Sequence, residues 1–216
     1  MLDSLVSKRS VFGIRLTKKL SWRISFVLAP LIVLLLPAAV RADGTTFTLN
    51  FDAFADSTPL TTQFSSLGIT FSEATVITAG ESLNELDFPP YSGTNVAFDD
   101  GSPIMLAFSL PASFVGAFFT YLEPLTIDAF DASHALVATT TSAFSANDVL
   151  SGNSPNEFLS VNAEGIAYVS ITGDPAGASF TMDDLSFTVP EPETLTLLGI
   201  GITTLLMIRP RNKRTA

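Results

Sequence analysis

Between Ala42 and Ile208 the sequence contains no lysine and no arginine. All 11 basic residues lie at the ends, seven from Lys8 to Arg41 and four from Arg209 to Arg214, while 20 of the 21 acidic residues fall between Asp43 and Glu193. The formal charge of -10 is thus the sum of two cationic ends that flank apolar runs and an anionic middle.

Several function classes fall away on this feature. Nucleic-acid binding relies on Lys and Arg to neutralise phosphates, and a middle without either is unsuited to it. Phosphoryl transfer calls for a P-loop Lys or an Arg clamp, and neither Gly-x-x-x-x-Gly-Lys nor Gly-x-Gly-x-x-Gly occurs. The chain has no cysteine, so disulfides, thiolate zinc sites and cysteine nucleophiles are excluded, and the compartment must be read from the ends.

Residues 1–23 are basic, with Lys8, Arg9, Arg15, Lys18, Lys19 and Arg23, and residues 24–36 form an apolar run interrupted only by Ser25 and Pro30. A run of about 13 residues suits a secretory h-region and is too short to span a membrane. Val40-Arg41-Ala42 offers a small-x-small cleavage site, so residues 1–42 are predicted to be a signal peptide cleaved after Ala42. At the other end Val189-Pro190-Glu191-Pro192 is followed by an uncharged apolar run, residues 195–208, and a basic tail, residues 209–216. A helix over 195–208 would cover about 21 Å, short of the ~30 Å hydrocarbon core, which predicts a marginal, transient transmembrane anchor. Positive charge after it favours the cytoplasmic side, so both ends place the acidic middle outside.

Motif, apolar helix and Arg-rich terminus together resemble the PEP-CTERM sorting signal of Gram-negative bacteria. That resemblance implies export by the general secretion machinery and recognition by an exosortase, a transpeptidase-like membrane protease that processes the signal near Val189, Pro190, Glu191 and Pro192. It implies cells that make exopolysaccharide and biofilm. Members often carry Ser or Ala after the motif, whereas Glu193 stands here. As with a GPI signal, removal of the tail would leave the mature protein without a spanning helix.

Residues 43–188 are enough for one well-cored domain. Their patterning has a period near two at residues 46–51, 74–78 and 125–130, with further β-rich runs at 104–110, 114–122, 135–141, 158–161, 166–172 and 179–189. Turn signals separate the runs, among them Asp99-Asp100-Gly101 and Gly173-Asp174-Pro175. About ten strands of this kind predict an all-β fold, an antiparallel β-sandwich of jelly-roll type. Sixteen Phe fall in this region, and Phe47, Phe51, Phe118 and Phe130, at alternating strand positions, are expected in the core. The opening Asn50-Phe51-Asp52 with Gln63 to Phe71, and the closing Phe180 to Phe187, resemble the bookends of jelly-roll domains in secreted bacterial proteins, some related in fold to carbohydrate-binding modules.

The single histidine, His134, is expected in a hairpin turn with its ring in water, and no Gly-x-Ser-x-Gly elbow accompanies it. Carboxylates are plentiful, yet Asp183 and Asp184 would point to opposite faces of an extended strand. A structural metal, if present, is expected to be calcium, held by loop carboxylates: Asp52 or Asp56 meeting Asp183 or Asp184 where first and last strands adjoin. The plainer alternative makes all four solvated turn and surface groups. Trp22 lies in the leader, so a sugar platform would fall to a tyrosine, foremost Tyr91 beside Pro89-Pro90. Together these features predict an exported, non-catalytic cell-surface or matrix protein associated with exopolysaccharide. A carbohydrate-binding module is the alternative, and a glycan-degrading enzyme a third reading.

Residues 43–189 hold 18 acidic and no basic residues, so the exported part carries a formal charge of -18. Trypsin is therefore expected to find no site within it. A tryptic peptide from inside this interval in the mature protein, seen by mass spectrometry, would overturn the processing boundaries.

Overall fold

The computed structural model describes residues 44–101, 103–190, 198–199 and 201–205. The predicted signal peptide with Ala42, Glu191 and Pro192 of the motif, and the basic tail lie outside the described residues. Ala42–Glu193 forms one compact unit.

Ten strands follow one another with almost no helix: β1 (Thr45–Leu49), β2 (Thr58–Leu60), β3 (Ile69–Ser72), β4 (Ala74–Thr78), β5 (Asn95–Asp99), β6 (Ile104–Tyr121), β7 (Thr126–Phe130), β8 (Leu136–Thr141), β9 (Glu157–Thr172) and β10 (Phe180–Val189). Short 3₁₀ turns occur at Ser65–Leu67 and Val149–Ser151. Every strand pairing is antiparallel, in the order β2-β4-β5-β10-β6-β9-β7-β8, with β1 added to β10 and β3 to β6. The fold is all-β, and its pairing is consistent with a β-sandwich.

The long strands β6 and β9 organise the rest. Their register slips between Ala107, Ala112 and Phe114. Pro111 has no N–H to give to a ladder there, and Gly165 of β9 takes a φ of 80°, open mainly to glycine. Before the slip β6 pairs with β3, and after it with β10, while β9 accompanies it on both sides. The runs predicted at 104–110 and 114–122 are therefore one strand, as are 158–161 and 166–172, because a bulge absorbs what reads as a break. None of β2, β3 and β5 stands out in the sequence. Pro59 reads as a turn residue, but β2 ends the strand order, where a missing N–H costs no ladder bond.

One core joins both parts of the sheet. Ile104, Leu106, Ile127, Val169 and Ile171 share it with Val115, Phe119, Phe180 and Phe187. Phe51 is fully buried, and its ring meets Phe64 and Phe71 edge-on at 6.2 and 6.3 Å. Each such side chain contributes about 1.5–3 kcal/mol by leaving water. First and last strands do adjoin: Thr45 pairs with Val189 and Leu49 with Leu185, and hydroxyls meet across them at Thr46 and Thr188 (2.8 Å) and Thr48 and Ser186 (2.9 Å). Val189, the first residue of the predicted sorting motif, thus ends the domain's last strand. Of the C-terminal apolar run, 198–199 and 201–205 are helical, and among the described residues no helix is long and apolar enough to cross a membrane.

Asn147 closes the long excursion between β8 and β9. It is fully buried, its Oδ1 accepts from the Tyr121 amide at 2.7 Å, and its Nδ2 donates to the carbonyls of Phe119 at 2.9 Å and Ser154 at 3.3 Å. Asn147→Ala leaves these backbone groups without a partner and is expected to lower the unfolding free energy by about 3 kcal/mol. Urea unfolding of the full-length chain measures it, and a loss below about 0.5 kcal/mol would show that water replaces the side chain.

Candidate functional site

The segment after β4, residues 79–94, is a loop held down by carboxylates. Asp183 of β10 is buried, 1% exposed, and its Oδ2 accepts from the Ser92 amide at 2.8 Å, while its Oδ1 accepts from the amide of Asp184 at 2.8 Å. The Ser92 hydroxyl donates to Asp184 Oδ1 at 2.9 Å. The expectation that Asp183 and Asp184 face opposite ways is corrected here. The register slips between Asp183 and Ser186, and Asp184 takes a φ of 45°, so this bulge aims both carboxylates at the same serine.

Asp52, just beyond β1, fastens the other end of the segment, its Oδ1 accepting from the amides of Thr94 at 2.8 Å and Asn95 at 3.1 Å. Gly93 packs against it, with a φ of 56° and no room for a side chain, since a Cβ there would fall 2.2 Å from Asp52 Oδ1. Asp52, Asp183 and Asp184 thus meet on Ser92 to Asn95. Asp56 serves a different turn: its Oδ1 accepts from the Thr78 amide at 2.8 Å and from the Ser82 hydroxyl, and its Oδ2 from Ser57 Oγ at 2.8 Å. Those hydroxyls hold its carboxyl below the usual range. Among the described residues no group of three or more His, Cys, Asp or Glu is arranged to hold a metal ion.

This fastening presents Tyr91. Its ring lies flat on Phe118, 3.4 Å between centroids and 7° between planes, and is 51% exposed. Phe118 in turn touches Phe158 at 5.0 Å, and Phe158 meets Phe114 at 6.5 Å. Phe158 is opposite Phe118 in the β6–β9 ladder and Asp183 is opposite it in β10, so all project from one sheet face. Gly116 makes room for the rings, because a Cβ there would lie 2.8 Å from Phe158 Cζ and 3.0 Å from Phe114 Cζ. Phe118 was expected in the core. It faces outward, because the alternation of β6 gives the interior to Val115, Ala117, Phe119 and Tyr121.

The second loop, between β8 and β9, is tied to the first. Asn156 Nδ2 donates to the Pro89 carbonyl at 3.0 Å, and the Val149 amide to the Asp87 carbonyl at 3.0 Å. Of the other tyrosines, Tyr121 is buried and its hydroxyl donates to Glu157, burial and that carboxylate pushing it up to about 12. Tyr168 is half-buried under His134, whose exposed ring stacks on it at 4.7 Å from the β7–β8 turn. Val189 and Pro190 line a groove of about 400 Å³ with Phe47, Leu67, Ser109 and Leu110.

Sequence reasoning missed Asp99. Asp99-Asp100-Gly101 reads as a solvated turn, yet Asp99 is 1% exposed and accepts from the amides of Ser179 at 3.0 Å and Phe180 at 3.1 Å. Burial raises its carboxyl above the usual range, and those donors pull the other way. Phe114, Phe118 and Phe158 were also missed as a surface. Their parity opposite to Val115, Ala117 and Phe119 was the available signal.

No family model matches the chain, and no curated protein does. Among solved structures it is similar to a DUF4465 family protein from Bacteroides caccae, with a TM-score of 0.36 and 10% identity over 71% of this chain and 96% of that one. It is similar also to a Clostridium thermocellum endo-1,4-β-D-xylanase with CBM22-1 and GH10 modules, complexed with xylohexaose, with a TM-score of 0.34 and 13% identity over 69% of this chain and 28% of that one. An arabinose-bound α-L-arabinofuranosidase gives a TM-score of 0.35 and 12% identity over 65% and 26%. The chain spans under a third of the length of these last two.

Burial and, secondarily, the charge of Asp184 push Asp183 up to about 6, against the hydrogen bonds from Ser92 and Asp184. A folded value above the unfolded 3.8 means that its contribution to stability is fully present below pH 3.8 and is lost as pH rises through about 6. Asp183→Asn removes this dependence. The stability difference between wild type and Asp183→Asn is expected to move by about 2 kcal/mol in favour of the wild type from pH 8 to pH 4.5. Denaturant unfolding at the two pH values measures it, and a constant difference would mean that Asp183 is not desolvated.

Proposed function

We propose that the chain is an exported, non-catalytic protein of the cell surface or extracellular matrix, with a jelly-roll domain that holds polysaccharide on the face around Tyr91. The observation that carries this reading is the half-exposed ring of Tyr91, held flat on Phe118 beside Phe158 by a loop that carboxylates fasten at both ends. Sugar rings offer C–H faces that pack on aromatic rings, and a preformed platform costs little ordering on binding. Among the described residues His134 stacks on Tyr168 in a turn, and Asp183 and Asp184 both hold Ser92, so these groups are engaged in fastening the fold.

Export rests on the leader, on the PEP-CTERM-like motif Val189-Pro190-Glu191-Pro192 and on the apolar run and basic tail after it. An exosortase would process this signal, leaving the domain outside with a transient membrane anchor and no lasting one. Calcium, if it adds to stability, would act on carboxylates such as Asp52 and Asp184, which solvent reaches.

Affinity electrophoresis through gels containing the producing cell's own exopolysaccharide tests the binding. The wild-type chain is expected to be retarded, and Tyr91→Ala to lose at least about tenfold in affinity while remaining folded, its melting temperature lower by several degrees at most through loss of the Phe118 stack. Equal migration of wild type and variant would sink the platform. Export is tested by the intact mass of the chain recovered from the cell surface or medium, in which retention of residues 195–216 throughout would count against processing.

A further inference from the structure

We propose that the polysaccharide held at the Tyr91 face is one that carries free amines, an amino-sugar polymer lacking a share of its N-acetyl groups. This inference rests on the polysaccharide reading above and adds its chemical class. Stacking on Tyr91 does not discriminate by charge, so selectivity must come from the rim of the platform. Two carboxylates that solvent reaches stand there, Asp184 at Ser92 and Asp52 at Thr94 and Asn95. Each uses only Oδ1 in these contacts, and among the described residues no side chain or amide donates to Oδ2 of either.

An ammonium group is the complement of such an oxygen. It offers three N–H donors, and a charge-assisted bond to carboxylate is about twice as strong as a neutral one. The domain around the site amplifies the preference, since residues 43–189 carry 18 acidic and no basic residues. A uronate, sulfate or phosphate on the polymer would approach a surface of like charge with no Lys or Arg to receive it. Neutral polymers would keep the stacking and gain nothing at Asp52 and Asp184.

Isothermal titration of the full-length chain in mild detergent separates these cases. The probes are a β-1,4-linked glucosamine oligomer at a pH where its amines are protonated, its fully N-acetylated twin of equal length, and a polygalacturonate oligomer. The amine-bearing oligomer is expected to bind at least about tenfold more tightly than its acetylated twin at about 20 mM salt, the two converging at about 500 mM. Polygalacturonate should not bind. Tyr91→Ala should abolish binding of both amino-sugar oligomers.

The double variant Asp52→Asn, Asp184→Asn should bring the amine-bearing oligomer and its acetylated twin to equal affinity. Asparagine keeps the Oδ1 acceptor at both positions and tolerates the left-handed φ of 45° at position 184, so the loop stays fastened. Equal affinity for the two oligomers overturns the amine selectivity and leaves the polysaccharide reading standing. Absence of binding to either overturns both. Amine binding that survives Tyr91→Ala at full strength would mark a diffuse attraction to a polyanion and overturn the site.

Discussion

Carboxylates bonded to backbone amides do in this domain what salt bridges and disulfides do elsewhere. With no Lys or Arg between Ala42 and Ile208, the aspartates of the described residues are held chiefly by N–H and O–H donors. Asp52, Asp99 and Asp183 each bind the amide of a residue more than forty positions away. Asp131 and Asp148 do the same over a few residues, taking amides of Ser133 and Ala135 in the β7–β8 turn and of Leu150 in a 3₁₀ turn. The loop that carries Tyr91 is anchored in this way, while the β8–β9 loop beside it is held by the carboxamides of Asn147 and Asn156.

These bonds vary in what they cost. Asp56 and Asp131 lie near solvent, and their donors hold them below the usual carboxylate range, so they stabilise the fold at neutral pH. Asp99 and Asp183 are buried, and desolvation outweighs their donors. The two buried groups fasten β10, Asp99 at its start through Ser179 and Phe180, and Asp183 in its middle through the loop that carries Tyr91. Stability is thus spent at the positions that orient the candidate platform, as buried polar groups with specific partners often serve to fix one arrangement.

The strands themselves were largely legible. Alternation located β1, β4 and β7 within a few residues, because the period of two survives in their sequence, and the β-rich runs 135–141 and 179–189 located β8 and β10. The four runs that became β6 and β9 were divided at Pro111 and near Gly165, residues that usually end a strand and here sit in a shared bulge. β2, β3 and β5 escaped because they are short and draw their pairing from other segments of the chain. Tyr91 was legible as an exposed aromatic in a Pro- and Gly-flanked loop. Phe118, Phe114 and Phe158 were not, since an aromatic at an alternating strand position reads as core whichever way it points.

The sequence by itself determined an anionic, cysteine-free, β-patterned middle between two cationic apolar ends, because charge, cysteine content and hydrophobic period are properties of the chain order alone. The tertiary structure decided which aspartates meet. A left-handed bulge at Asp184 turned two neighbouring carboxylates toward one serine, and the antiparallel pairing of β1 with β10 set Asp52 beside the same loop. Which face of β6 lay outward was settled there too, since parity fixes only that Phe118 and Phe119 point apart. Burial of the face carrying Val115, Phe119 and Tyr121 against the rest of the core left Phe118 outside, where Tyr91 covers it.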